Sequence, residues 1–342
     1  MMKTSREFQV FAKPVGPVCN LECHYCYYLE KKRFFPENTY FRMPENILEE
    51  YIVQHINAST GPVITFSWHG GEPLLAGLDY FRRITQFQKK HLPLNRRIIN
   101  GIQTNGTMLD DAWCRFFASE NFIVGISIDG PQKFHDLHRL TRNKKSTFQQ
   151  TVNGYHLLRE YGILCEILCV VNADNVKYPR EVYGFYKELN ASYLTFLPVV
   201  ERDGSEGVTS LSVPSESFGN FLISVFDEWM EQDIGKVKVQ IIEEAARSAF
   251  GQDHTLCIFK KTCGNVPVVE HNGAFYSCDH FVEPDHFLGN IMDIPLADLL
   301  DSPDQAAFGR NKLDSLPQYC LECDVRDMCN GGCPKNRFIR TP

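Results

Sequence analysis

From residue 7 to about 200 the chain alternates short apolar runs with amphipathic stretches. Six runs predict strands: "FQVFAKP", "VITFSWH", "RIINGIQT", "FIVGISI", "LCEILCVV" and "YLTFLPVV". They are apolar almost throughout, as a sheet covered on both faces requires. Between them "PENILEEYIVQHI", "LDYFRRITQFQKKH", "TFQQTVNGYHLLREY" and "YPREVYGFYKEL" predict helices. Parallel neighbours need a crossover, which a helix supplies, so the repeated strand–helix unit predicts a parallel sheet. Six units predict an α/β fold, a partial (β/α)6 TIM-like barrel that does not close. Its working rim should be the loops after the carboxyl ends of the strands.

The pattern then changes. Residues 201–216, "ERDGSEGVTSLSVPSE", are rich in turn formers and predict a connection. Two helices should follow, in "FGNFLISVFDEWMEQ" and "VQIIEEAARSAFG". After Cys257 a hairpin is expected in "VPVVEHNGAFYSCD", turning at Asn272-Gly273, with short cysteine-bearing loops from there on. The expected division is a barrel over 1–210, a helical connection over 211–254 and a C-terminal cysteine-rich domain over 255–342.

Composition alters this picture in one residue type. At 43% hydrophobic and 23% charged, the chain is ordinary for a globular protein. No apolar run approaches the ~20 residues that span a bilayer. The start, "MMKTSREFQVFAKP", lacks a signal peptide's apolar core and cleavage site, so a cytoplasmic location is expected. A net charge of -7 without a basic block argues against nucleic acid as partner. Thirteen cysteines, however, are an odd count and unevenly spread. Cys19, Cys23 and Cys26 lie at the front; Cys257, Cys263, Cys278, Cys320, Cys323, Cys329 and Cys333 at the back. This argues for metal sites at two places rather than disulfides. Cys114, Cys165 and Cys169 fall between, in a helix and on one face of a strand, and are expected to pack.

The front cysteines follow the first strand, at the expected rim. Three thiolates on a cubic iron–sulfur cluster leave one iron open to another ligand. Zinc lacking its fourth ligand, or inert buried thiols, would use the same spacing. The other strand ends add to the rim. "HGGEPLLAG" brings two glycines that permit close backbone approach, and Glu72, a carboxylate for a cationic amine. "QTNGTMLD" and "SIDGPQ" bring small polar residues to the same side. Together they suggest a cleft for a polar cofactor.

Cys-x3-Cys-x2-Cys after strand one, with Gly-Gly-Glu-Pro after strand two, resembles the radical S-adenosylmethionine superfamily. The resemblance implies a [4Fe–4S] cluster on Cys19, Cys23 and Cys26 whose open iron binds S-adenosylmethionine and releases a 5′-deoxyadenosyl radical. The rear spacing resembles the SPASM extension with two auxiliary [4Fe–4S] clusters. The first would take Cys257, Cys263, Cys278 and Cys333, the second Cys320, Cys323 and Cys329. The family pattern has a further cysteine for the second; here the sequence stops at Pro342, as a truncated one would.

Within the superfamily, "CNLECHYCYYLEK", "WHGGEPLLAGLDYFRR", "QTNGTMLDDAW", "VGISIDGP", "LCVVN", "YSCDH" and "CNGGCPKNRF" are similar to anaerobic sulfatase-maturating enzymes. These oxidise a cysteine or serine of an unfolded sulfatase polypeptide to Cα-formylglycine. The resemblance implies that Tyr25, Gly71, Ser127, Arg139 and, more weakly placed, Val200 contact S-adenosylmethionine. It also implies an electron donor such as flavodoxin or ferredoxin, and Asp279 as proton acceptor. Forming a C=O or C=S bond after hydrogen abstraction requires loss of a proton and an electron, and a carboxylate beside cluster ligand Cys278 suits the proton. His69 stands where these enzymes usually have Gln. Another peptide-modifying SPASM maturase (thioether-forming or epimerising) and a non-catalytic metal-binding scaffold are the competing readings.

Overall fold

The computed structural model describes residues 4–5, 7–36, 40–204 and 207–338; the tail after "CPKNRF" lies outside them. Six parallel strands form the expected series: β1 (Phe11–Ala12), β2 (Val63–Trp68), β3 (Arg97–Thr104), β4 (Phe122–Ser127), β5 (Cys165–Val171) and β6 (Tyr193–Pro198). They are joined by α1 (Glu45–Ala58), α2 (Leu78–His91), α3 (Asp111–Ser119), α4 (Gln132–His138), α5 (Phe148–Glu160) and α6 (Pro179–Glu188). Local signals set several ends: Asp110 caps α3 by accepting from Trp113 N, and Asn121 and Asn190 take left-handed backbone just beyond α3 and α6.

The predicted connection carries a small ribbon, β7 (Arg202–Asp203) with β8 (Gly207–Val208), before α7 (Ser215–Gln232), β9 (Lys238–Val239) and α8 (Gln240–Ala249). The hairpin is β10 (Val268–Val269) and β11 (Ala274–Tyr276), extended by β12 (Phe287–Asn290). Its turn needs Gly273, whose φ is +83°.

Two expectations need correction. The cysteine-rich end is not only loops: it holds α9 (Leu296–Leu300) and α10 (Pro303–Asp314), the latter capped by Ser302 with Pro at its first position. Nor does the sheet divide at the expected domain boundaries. β9 pairs with β6, and β10 pairs in parallel with β1, giving one open sheet, β12-β11-β10-β1-β2-β3-β4-β5-β6-β9. The reason is apolar surface. Phe275, Ile291, Leu296 and Leu299 are buried in the same core as Trp68, Phe66 and Tyr51, while Tyr28 and Phe41 pack with Val268 and Tyr276 in a second cluster. The hairpin leading to Cys278 is thereby held against the front cysteine loop. Cys114 and Cys169 are buried and Cys165 half-buried, consistent with packing. Among the described residues no helix is long and apolar enough to cross a membrane.

Candidate active site

The loop after β1 carries Cys19, Cys23 and Cys26, and the loop after β2 is pressed onto it. Gly71 N donates to Gly16 O at 2.8 Å and Glu72 N to Val18 O at 2.9 Å. A Cβ on Gly71 would lie 2.0 Å from the Val18 carbonyl oxygen, so only glycine lets these two backbones meet.

Glu72 is not a free carboxylate, contrary to expectation. It is fully buried; Oε1 accepts from Leu74 N (3.0 Å) and Thr104 Oγ1 (2.8 Å), Oε2 from Asn105 N (2.8 Å). Burial pushes its pKa up to about 7 against those three donors. Its side chain fastens the β2 loop to the end of β3. Asn105, held this way, directs Nδ2 to Asn20 Oδ1 (2.9 Å) and toward Cys19 Sγ (3.7 Å).

Arg139 follows α4 and is committed to a residue that the sequence pattern did not single out. Its Nε donates to Asp129 Oδ2 at 2.9 Å and its Nη2 to Oδ1 at 3.2 Å. The Tyr25 hydroxyl donates to the same Oδ2, and Val170 N to Oδ1 at 2.9 Å. Asp129, wholly buried, thus ties the cysteine loop, the β4 end, α4 and β5 together. An acid before glycine at a strand end was the available signal, but its role depends on distant partners. Ser127 lies nearby and accepts from Gln103 Nε2 at 3.0 Å. Val200 is farther along, its carbonyl accepting from Lys335 Nζ at 3.0 Å, which docks the tail of the chain on the end of β6.

Asp279 lies where front and rear meet. It is buried, pairs with the buried ammonium of Lys13 and accepts from the Tyr27 hydroxyl. Burial alone would raise its pKa; the charge of Lys13 outweighs that and holds it well below the usual carboxylate range. It is ionised at any physiological pH. His69 stacks on Phe11 with ring centroids 3.8 Å apart, and burial, then Lys13, lowers it to about 3, so it is a neutral imidazole here. Tyr27 follows Cys26 and Asp279 follows Cys278, so the hydrogen bond between them sets Asp279 where the two cysteine groups meet. Lys13 and Tyr27 were not anticipated, since a lysine in an apolar strand resembles an edge residue.

Residues 14–185 match the radical SAM superfamily, and residues 257–324 match SPASM, an iron-sulfur cluster-binding domain. The chain is 43% identical to the serine-type anaerobic sulfatase-maturating enzyme of Bacteroides thetaiotaomicron, covering 98% of this chain and 85% of that protein. The cysteine-type enzyme of Clostridium perfringens is 30% identical, over 95% and 88%. A solved structure of native anSMEcpe with bound AdoMet superposes with a TM-score of 0.88 at 30% identity, covering 96% of this chain and 90% of that one. This chain belongs to the anaerobic sulfatase-maturating enzyme family.

The cysteines suit the clusters that this family uses. Cys23 and Cys26 both act on Cys19, and Cys257 and Cys333 both act on Cys278, with Cys263 acting on Cys257. Yet among the described residues no three His, Cys, Asp or Glu side chains are gathered as a single-ion site. Burial pushes Cys19 and Cys23 up to about 12, so thiolates here need the positive charge that iron brings. Cys320 lies in a helical turn (Gln318–Leu321), Cys323 just beyond it, and Cys329, exposed, ends the next turn (Arg326–Cys329).

Gly71→Ala should expel the front cluster alone. The added methyl must displace the Val18 backbone, and the cysteine loop with it. Iron analysis and electron paramagnetic resonance (EPR) of the purified variant should show the rear clusters retained and the front one depleted. A full complement of front-cluster iron would contradict this account of Gly71.

Proposed function

We propose that this chain oxidises a serine or cysteine in a sulfatase polypeptide to Cα-formylglycine, with Asp279 as proton acceptor. When bound, S-adenosylmethionine and the clusters on the cysteines named above supply a hydrogen-abstracting radical and an electron route. The chain's own residues position and deprotonate. Asp279 carries the reading: an ionised carboxylate where the two cysteine groups meet, held by Lys13 and the Tyr27 phenol. Paired with Lys13 it is a weak base, so it takes the proton from the substrate hydroxyl or thiol only after hydrogen abstraction from the adjacent carbon has made that proton acidic. Lys13 holds one carboxylate oxygen and the Tyr27 hydroxyl the other, which fixes the orientation of the carboxylate, and His69, being neutral, can donate to or accept from the substrate without adding charge. On the front side, the Asp129 hub holds Tyr25 and Arg139 in place, and with Gly71, Ser127 and Val200 they form the proposed S-adenosylmethionine site. Arg139, already paired, would act there through its shape and remaining donor rather than as a free cation.

A low-potential electron donor such as flavodoxin or ferredoxin, and a cytoplasmic location, belong to the same reading. The test is incubation of anaerobically reconstituted, reduced enzyme with S-adenosylmethionine and paired sulfatase peptides carrying serine or cysteine. Mass spectrometry should show loss of two hydrogens from the serine peptide, and from the cysteine peptide the same loss followed by exchange of sulfur for a water oxygen with release of sulfide, in step with 5′-deoxyadenosine. The serine peptide is the first to try, because identity is higher to the serine-type relative. Deoxyadenosine without modification of either peptide would favour a different maturase chemistry.

A further inference from the structure

On the far side of the rear cysteines, α10 presents Gln305, Gly309 and Lys312, spaced four and three residues apart and so on one face. The hydrogen bonds of that face run to backbone. Gln305 Nε2 donates to the carbonyls of Gly264 (2.9 Å) and Ser277 (3.0 Å). Gly309 O accepts from Cys263 N at 3.0 Å, and a Cβ on Gly309 would lie 2.7 Å from the Cys263 carbonyl oxygen. The helix is therefore seated directly on the cysteine loop.

Lys312 completes the face and is 1% exposed. Its Nζ donates to the carbonyls of Cys257 (3.0 Å), Ile258 (2.9 Å) and Lys260 (2.5 Å). Three acceptors match the three protons of an ammonium, and each is a carbonyl rather than an anion. Burying an ammonium on carbonyl dipoles alone is costly unless a nearby negative charge compensates. Burial works against that charge, and what compensates it is the cysteine group beside it, Cys257, whose carbonyl Lys312 holds, and Cys263, whose amide Gly309 holds, once these are thiolates on a cluster. Arg337 stands beside it with the same kind of partners, donating to the carbonyls of Lys312 (2.6 Å), Gly331 (2.8 Å) and Asn330 (3.0 Å). Lys335, by contrast, is balanced by Glu201 at 2.7 Å. The cysteine group thus faces a buried ammonium and a half-buried guanidinium whose charge no carboxylate cancels in these contacts.

We propose that Lys312 is a counter-charge that raises the reduction potential of the cluster held by Cys257, Cys263, Cys278 and Cys333. The inference rests on reading those four cysteines as one cluster's ligands. Reduction adds one electron, taken from the substrate radical in turnover or from the titrant in a test, to an assembly already made anionic by four thiolates. A fixed positive charge in a poorly polarisable surrounding favours the more negative of the two states. An acceptor so tuned takes the substrate's electron more readily, and Asp279, one residue from Cys278, takes the proton.

The test is an EPR-monitored redox titration of the full chain in a C19A/C23A/C26A background, where only rear clusters contribute. K312Q and K312M remove the charge, the first keeping a donor and the second only the stem; K312R keeps the charge. In either neutral variant that retains its iron, the reduction equilibrium of one rear cluster should weaken about tenfold, equivalent to about 59 mV for one electron. K312R should stay within about threefold of its parent, as an unchanged charge in similar surroundings implies. Unaltered potentials in an iron-replete neutral variant would overturn the proposal. So would loss of the cluster from both neutral variants with retention in K312R, which would make Lys312 a peg for the loop. Absence of any rear-cluster signal in the parent would instead overturn the assignment of the four cysteines.

Discussion

Asp279→Asn should leave S-adenosylmethionine cleavage intact while formylglycine formation falls by roughly 10²–10⁴-fold, the range for losing a general base. Asparagine keeps the size of the side chain and can still accept from Tyr27, but it has no basic oxygen. Cleavage belongs to the front cysteines and the Asp129 hub, which Asp279 does not touch. The environment of Asp279 adds a second consequence. Lys13 and Asp279 are both buried, and removing one partner of such a pair costs about 3–5 kcal/mol of stability. Activity is therefore compared well below the unfolding midpoint, alongside the K13M/D279N double variant, in which the stranded ammonium is also gone. The double variant should recover stability and not formylglycine. Peptide mass spectrometry and quantified 5′-deoxyadenosine read the two halves together. A near-normal formylglycine yield in D279N would leave Asp279 as the counter-ion of Lys13 and nothing more.

Replacing Cys19, Cys23 and Cys26 together by alanine should abolish 5′-deoxyadenosine formation and leave the rear clusters in place. The change removes three sulfurs and little else. Tyr28 still donates to Glu270, Tyr27 still donates to Asp279, and the Gly71–Gly16 and Glu72–Val18 backbone bonds still hold the loop. The rear ligands come from other segments, fastened by α10 rather than by the front loop. Iron content should fall by about one four-iron cluster's worth. Continued deoxyadenosine production under reduction would show that the radical-forming site lies elsewhere. Simultaneous loss of the rear clusters would show that the two groups are assembled as one unit.

The positions of strands and helices were legible because they depend on short windows. "LDYFRRITQFQKKH" alternates apolar and polar residues with helical period and is α2 over the same fourteen residues, Leu78–His91. The cysteine spacings were legible for a similar reason, since ligand sets closed by adjacent turns leave a fixed count of residues between them. α4 and α10 were not. α4 is only seven residues long, and α10 buries Gln305, Gly309 and Lys312, polar or small residues that leave no apolar stripe to detect.

The sequence by itself thus determined the strand–helix repeat, the two cysteine groups and, through motif likeness, the family. Only the tertiary structure decided how charges are spent. Glu72 is satisfied by the end of β3, and Arg139 is paired with Asp129. Lys13 crosses to Asp279, and the rear hairpin joins the barrel through β1. The physical reason is range. Periodicity and ligand spacing are properties of neighbours in the chain. The compensation of a buried charge depends on whichever group folding brings within hydrogen-bond reach, as Tyr27 and Asp279, 252 residues apart in sequence, are brought together here.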